Sequence, residues 1–159
     1  MKTSKPESAK EINSLLKIVR EVYDNLPFNR LLGLEVEYLE IDRAGFCFTM
    51  KNELIGNTVY GILHGGVIST VLDTTGGITA TASAVEKMKN LSNDEIAKLI
   101  AHIGTIDMRV DYLRPGRGTQ FHSTGTVMRT GRKVAVTRME LKNEENVLIA
   151  VGTGTYIVG

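Results

Sequence analysis

A chain of 159 residues is long enough for one domain with a substantial core and short of two ordinary ones. Hydrophobic content of 42%, charged content of 23% and a formal net charge of +1 describe a soluble globular protein, without the field that binding nucleic acid requires. The longest apolar runs are too short to span a bilayer and no apolar core follows Met1-Lys2, so no membrane span is expected and the cytoplasm is the expected compartment. The single Cys47 excludes an intramolecular disulfide framework and a thiolate-rich metal site.

In chain order, residues 1–7 read as a polar, frayed leader. Ile12, Leu15, Leu16, Val19, Val22, Tyr23 and Leu26 then recur at spacings of three and four, an amphipathic helix that Pro27 ends. Residues 1–27 therefore form an N-terminal helical segment ahead of a domain at 28–159. Such a helix covers a sheet edge or docks on a partner, and covering is the commoner use. Residues 32–41 and 44–50 read as two strands joined by a turn at Asp42-Arg43. Cys47, between Phe46 and Phe48, is expected to be a buried, inert thiol. Residues 51–60 are mostly polar, contain Gly56-Asn57 and form a loop.

The stretch from Gly61 to Asp73 is the centre of the chain. Glycines and His64 suit a tight turn, and helical apolar spacing follows with one carboxylate at its end. With Gly65 as the first helical residue, Asp73 lies two turns in, roughly 12 Å along the axis at ~1.5 Å per residue. Within about 60° of Asp73 on the helical wheel fall only small side chains: Gly66, Ser69, Thr70, Gly76, Gly77, Ala80 and Ala84. Val67, Ile68, Val71, Ile78 and Ala82 occupy the other side, a stripe suited to a sheet. Each helical Gly costs about 1 kcal/mol relative to Ala, so Gly76 and Gly77 imply close approach by a backbone or a ligand. The plainer alternative is a buried helix with a capping or salt-bridged Asp.

The helix is expected to run to about residue 88. Ser92 and Glu95 form a capping-box pattern that opens a short helix to about His102. Residues 105–113 alternate, with Ile106, Met108, Val110 and Tyr112 on one side and Thr105, Asp107, Arg109 and Asp111 on the other. Strands are expected at 120–129, 133–142 and 147–158, with turns at Thr130-Gly131 and at 143–146. Strands on both sides of one long helix predict an α+β domain, an antiparallel sheet wrapped on that helix.

Other chemistries lack their patterns. Gly116-Arg117-Gly118 and Gly152-Thr153-Gly154 have neither the spacing nor the strand-to-helix setting of a nucleotide site. His64, His102 and His122 are too scattered for a close-spaced metal pattern, and no G-x-S-x-G elbow is present. Arg114, Arg117, Arg129, Arg132 and Lys133 flank two turns, either as solvated hairpin ends or as a phosphate-binding rim.

His64-Gly65-Gly66 with Asp73 nine residues after the histidine resembles the signature of hotdog-fold acyl-CoA thioesterases of the phenylacetate-degradation type. The resemblance runs from about Phe28 to the C-terminus. It takes in residues 111–117 and 131–135, and the segment 92–102 is similar to a bacterial subgroup acting on medium- to long-chain acyl-CoA. It implies a hotdog fold and a homodimer formed by pairing sheets, often doubled to a homotetramer, with sites made from both subunits. Asp73 then matches the catalytic carboxylate, as general base or nucleophile, and Gly65 matches the residue whose backbone N–H polarises the thioester carbonyl. The Gly65 role is physically sensible at an unpaired helix N-terminus. His64 matches the motif histidine that shapes the turn. Asn57 and Thr58 compete for the place of a polar residue holding the water or carbonyl, and Thr105 matches an assisting hydroxyl. Gly66, Arg114, Arg117, Arg132 and Lys133 are the expected contacts to CoA.

The resemblance thus implies hydrolysis of a medium- to long-chain acyl-CoA to fatty acid and CoA, with no metal or redox cofactor. Two rivals are a non-catalytic acyl-CoA-binding hotdog module, which has no need of Asp73, and a hotdog hydratase or dehydratase, which uses a His and a carboxylate on the acyl chain.

Overall fold

The structure, a computed structural model, describes residues 5–159, with side chains from residue 9 onward. Of the expected polar leader, residues 1–4 lie outside the described residues, and residues 5–7 are already helical. In chain order the elements are α1 (Lys5–Asn25), α2 (Pro27–Leu32), β1 (Glu35–Leu39), β2 (Arg43–Thr49), β3 (Ile55–Asn57), β4 (Ile62–Leu63), α3 (Gly65–Ser83), α4 (Asn93–His102), β5 (Gly104–Tyr112), β6 (Gln120–Thr130), β7 (Val134–Asn143) and β8 (Leu148–Ile157). Six strands form one antiparallel sheet in the order β1-β2-β6-β7-β8-β5, and β3 and β4 form a separate two-stranded ribbon. The sheet wraps α3, the hotdog fold that the sequence predicts.

The expected loop at 51–60 contains β3, and two boundaries differ from expectation. Pro27 does end α1, but it also starts α2, its fixed φ suiting a first helical position, so the first strand begins at Glu35 and not near residue 32. The central helix stops at Ser83, and Val85–Met88 continues as a 3-10 turn. The capping box of α4 is formed by both of its bonds.

The packing of α3 also departs from the wheel. Part of its small side, Gly76, Ala80 and Ala84, faces the chain's own sheet. Gly76 lies against Tyr156 and Met139, and Ala80 and Ala84 pack with Ala135, Tyr156 and Val158. Thr75 shares a hydrogen bond of 2.6 Å with Ser123 on β6. The sheet answers with glycines: a Cβ at Gly152 would stand 3.2 Å from Met139 Cε and 3.5 Å from Leu72 Cδ1. Val71 and Ile78, expected on the sheet, are fully buried within the main core cluster, which also includes Val19 and Tyr23 of α1, and Val85 and Met88. From Gly65 to Gly77, only Gly65, Gly66, Val67, Ser69, Thr70, Asp73, Thr74 and Gly77 stay part-exposed or open, a stripe at spacings of three and four.

The two sheet edges are treated differently. At β1 the outward Val36 N–H donates to Asp24 Oδ1 at 3.1 Å and the Arg20 guanidinium donates to Val36 O, so α1 occupies the edge bonds with side chains. At the opposite edge, β5 pairs with β8 on one side, and no described strand pairs with its other side.

At the end of the sheet where α3 begins, Glu144 holds the 115–120 loop, accepting from Thr119 N–H and Thr119 Oγ1 at 2.9 Å each and from Gln120 N–H at 3.3 Å. The Thr119 N–H, foremost among these donors, holds its carboxyl down at about 2, well below its ordinary 4.5. A lowered folded-state pKa gives stability that is present above the unfolded value and is lost as pH falls through the folded one. Glu144→Gln is therefore expected to lower the urea midpoint at neutral pH, and the gap to wild type should close between pH 4.5 and about 2. A gap that stays constant over that range would count against the carboxylate as the holding group.

Candidate active site

The start of α3 is assembled by backbone contacts. Leu63 N–H donates to Gly116 O at 3.0 Å and His64 N–H to Leu54 O at 2.8 Å, so the β3–β4 ribbon and the Pro115-Gly116 loop converge on the histidine. Gly56 permits this, because a Cβ there would stand 2.8 Å from His64 Cβ. His64 is the N-cap, with extended backbone, and its Nδ1 accepts from Gly66 N–H at 2.8 Å. Nδ1 as acceptor leaves the proton of the neutral ring on Nε2. The Gly65 N–H finds no acceptor among the described residues, as expected for a first-turn donor at the positive end of the helix dipole. Tyr112, on the inner face of β5, donates its hydroxyl to Gly65 O at 3.2 Å.

Two turns further on, Asp73 is half-buried. Thr105 Oγ1 donates to its Oδ1 at 2.8 Å. Strict alternation along β5 would put Thr105 with Arg109 on the outer face. A β-bulge between Thr105 and Asp107 shifts the phase by one residue and brings Thr105 to the inner side with Met108 and Val110. Tyr156, from β8, was not anticipated: its hydroxyl lies 3.2 Å from Asp73 O and 3.4 Å from Asp73 Oδ1. Burial first, then the Asp73 charge, push the Tyr156 phenol far above its ordinary value, so it is a neutral donor at any working pH. Tyr23 of α1 lies behind it, bonded to Thr81 Oγ1 at 3.0 Å, and burial pushes its phenol up to about 12. A sequence signal for Tyr156 exists: Gly152, Gly154 and Tyr156 alternate onto one face of β8, and Gly76 leaves space opposite.

The remaining candidates divide. Asn57 Oδ1 accepts from Val59 N–H at 3.1 Å and Tyr60 N–H at 3.2 Å, which makes the side chain a turn-former, while Thr58 is exposed without a bonded partner among the described residues. Both lie in the loop that leads to His64, at the N-terminal end of α3 and away from Asp73. Gly66, exposed in the first helical turn, has its N–H taken by His64. The basic residues do not form one rim within the chain. Arg114, whose Nη1 donates to Leu148 O at 2.9 Å, and Arg117, 5.7 Å over the Tyr60 ring, lie at the end where α3 begins. Arg129, Arg132 and Lys133 line a surface depression of about 460 Å³ at the other end of the sheet, beside the foot of α3. There Lys87 Nζ donates to Gly131 O at 3.1 Å and Arg132 O at 2.7 Å. His102 Nδ1 lies 3.3 Å from Lys98 O in the last turn of α4 and His122 pairs with Glu37 at 3.1 Å, and neither bonds to Asp73. Cys47 is half-buried on β2, and burial, then Glu37 and Glu35, raise its thiol above the ordinary value, which keeps it unreactive.

A sheet wrapped on one helix, with a carboxylate held on that helix and a free N–H at its start, is the hotdog arrangement. A family model described as the thioesterase superfamily matches residues 60–150. The medium/long-chain acyl-CoA thioesterase YigI of Escherichia coli K12 is 46% identical over 145 residues, 91% of this chain and 94% of that protein. A crystal structure of a Shewanella oneidensis protein related to the thioesterase superfamily superposes with a TM-score of 0.87 at 51% identity, covering 93% of this chain and 97% of that one. The PaaI protein of the E. coli phenylacetic acid degradation operon shares the fold, with a TM-score of 0.73 at 18% identity over 92% of this chain and 94% of that one. The chain belongs to the thioesterase superfamily and is a thioester hydrolase.

Proposed function

We propose that this protein hydrolyses medium- to long-chain acyl-CoA to free fatty acid and CoA, in the cytoplasm and as a homodimer. The observation that carries the mechanism is the Asp73 carboxylate, whose Oδ1 is held by Thr105 while Oδ2 has no bonded partner among the described residues. Oδ2 takes a proton from water, the oxygen adds to the thioester carbonyl, and the tetrahedral oxyanion is met by an unpaired helix-terminal N–H. Collapse breaks the C–S bond, the thiolate takes up the proton, and the products are the acid and free CoA. An acyl-CoA-binding module would have no use for a carboxylate fixed in this way. A hydratase is the weaker reading, because YigI, 46% identical to this chain, is a medium/long-chain acyl-CoA thioesterase.

The same geometry supports the dimer. Gly65 and Asp73 are eight residues apart on one helix, roughly 12 Å at ~1.5 Å per residue, too far to act on one carbonyl. Two copies joined antiparallel through the open edge of β5 would set Thr105, and with it Asp73, across from Tyr112 and Gly65 of the partner subunit. The same two-fold would bring the Arg117 end of one chain beside the Arg132 end of the other, so that a CoA rim could form only between subunits. α1 blocks the alternative edge at β1. On this reading Arg114, Arg117, Arg132 and Lys133 receive the phosphates, with Gly66 at the mouth, and Asn57 or Thr58 orders the loop or water beside the carbonyl. Pairing of two dimers into a tetramer fits the family pattern. Within the segment 1–27, α1 serves as the edge cover of the domain at 28–159.

Thiol release by the purified protein across short- to long-chain acyl-CoAs tests the substrate class, with the highest kcat/KM expected at medium and long chains. Arg117→Ala and Arg132→Ala should each raise KM for acyl-CoA by about fivefold, the scale of an exposed ion pair, with little change in kcat. An acyl-N-acetylcysteamine, which lacks the phosphates, should be used equally well by wild type and variants, and added salt should weaken only the CoA reaction. Equal damage to both substrates would make the arginines structural; no damage to either would move the phosphates elsewhere.

A further inference from the structure

Tyr156 is the most elaborately housed group in the protein that the mechanism above does not use. The side chain is 1% exposed and sits in a slot made by two glycines. A Cβ at Gly154 would stand 2.6 Å from its hydroxyl and 2.8 Å from Cζ, and one at Gly76 would stand 2.7 Å from Cζ and 2.9 Å from Met139 Sδ. Helical Gly76 is costly by itself, and filling the slot with apolar atoms would need only a phenylalanine. What the phenol adds is one donor in a place where an unbonded hydroxyl would be penalised. Its acceptors, at 3.2 Å and 3.4 Å, are the backbone and carboxylate oxygens of the same residue, Asp73. Bridging those two oxygens fixes the carboxylate relative to its own helix. Thr105 meets the same Oδ1 from β5 at 2.8 Å.

We infer that Tyr156 is a positioning residue for the hydrolysis: together with Thr105 it anchors Asp73 Oδ1, so that Oδ2 is the oxygen presented to the reacting water. This inference rests on the reading of Asp73 as the catalytic carboxylate. The phenol touches neither the water nor the acyl group; it acts through the carboxylate. Its neutrality follows from burial and from the neighbouring charge, so it donates throughout the working range.

A double-mutant cycle on the dimeric protein, read by thiol release from a saturating acyl-CoA, tests the role. Tyr156→Phe should lower kcat by about tenfold or more, the scale of a lost hydrogen bond to a charged group, and leave KM within about twofold. In the Asp73→Asn background the same change should cost less than about twofold, because the carboxylate through which the phenol acts is gone. A merely structural tyrosine would cost the same factor in both backgrounds. Gly154→Ala, which displaces the phenol without removing it, should reproduce the background dependence and serves if Tyr156→Phe does not fold. Wild-type kcat in Tyr156→Phe, or equal losses in the two backgrounds, overturns the inference while leaving the thioesterase reading intact. An Asp73→Asn protein as active as wild type overturns both the inference and the reading of Asp73 as the catalytic carboxylate.

Discussion

Asp73→Asn is expected to yield a folded protein whose thioester hydrolysis is lower by about two orders of magnitude or more, roughly 3 kcal/mol of added barrier. Asparagine keeps the shape, and its carbonyl oxygen can take the place of Oδ1 as acceptor for Thr105 and Tyr156. The position of Oδ2 then carries an amide nitrogen that cannot accept a proton. The two functions of the carboxylate, being held and taking a proton, are thereby separated. Melting temperature and circular dichroism should match wild type, and kcat should carry the loss with KM little changed. Near-wild-type turnover in a folded Asp73→Asn protein would remove Asp73 from the chemistry and require another general base for the water.

The same residues show how much of the fold and site the sequence carried. Periodicity found α1 through Leu15, Val19 and Tyr23, and Ser92 with Glu95 found α4, because those signals are local: a stripe, and a pair of side chains closing on a helix start. Strands β6, β7 and β8 were bounded by turn residues within a residue or two for the same reason. The helix at Pro27–Leu32 was missed because six residues fall short of two turns and do not repeat an apolar stripe, and proline was read as a stop when it was also a start.

Of the candidate site, Asp73 stood out in the sequence as a lone carboxylate on one helix, while the roles proposed for Gly65 and His64 came from the family resemblance. Thr105 came from the family resemblance alone. Alternation assigns it to the wrong face, and only a bulge, a tertiary adjustment in the pairing of β5 with β8, corrects the phase. Tyr156 was invisible for a related reason: its partner is 83 residues away, and what marks it in the sequence is the absence of side chains at Gly76 and Gly154. The small residues of the helix were read as close approach by a backbone or a ligand. The group that approaches Gly76 belongs to the same chain.

Gly76 and Gly77 provide the sharpest stability contrast, since neighbouring helical glycines should respond in opposite directions. Replacing Gly by Ala inside a helix is worth about 1 kcal/mol in favour of the alanine. At Gly77 a Cβ would meet Tyr23 Oη at 3.4 Å and Tyr156 Cε1 at 3.9 Å, ordinary contact distances, so most of that gain should be realised. At Gly76 a Cβ would come within 2.9 Å of Met139 Sδ and 2.7 Å of Tyr156 Cζ, in a core whose neighbours are fully buried and have nowhere to retreat. Overpacking of this kind costs roughly 1–3 kcal/mol, which outweighs the helical gain. Gly76→Ala should therefore lower the urea midpoint, and by pushing the phenol off Asp73 it should lower kcat as well. Gly77→Ala should hold or raise the midpoint of the isolated fold. Because Gly77 lies on the part-exposed stripe of α3, it also reports on assembly. If Gly77→Ala instead destabilises the protein as much as Gly76→Ala and shifts it from dimer to monomer in sedimentation, the partner subunit's helix sits on that glycine, and the close approach first read from the sequence applies to one glycine of the pair.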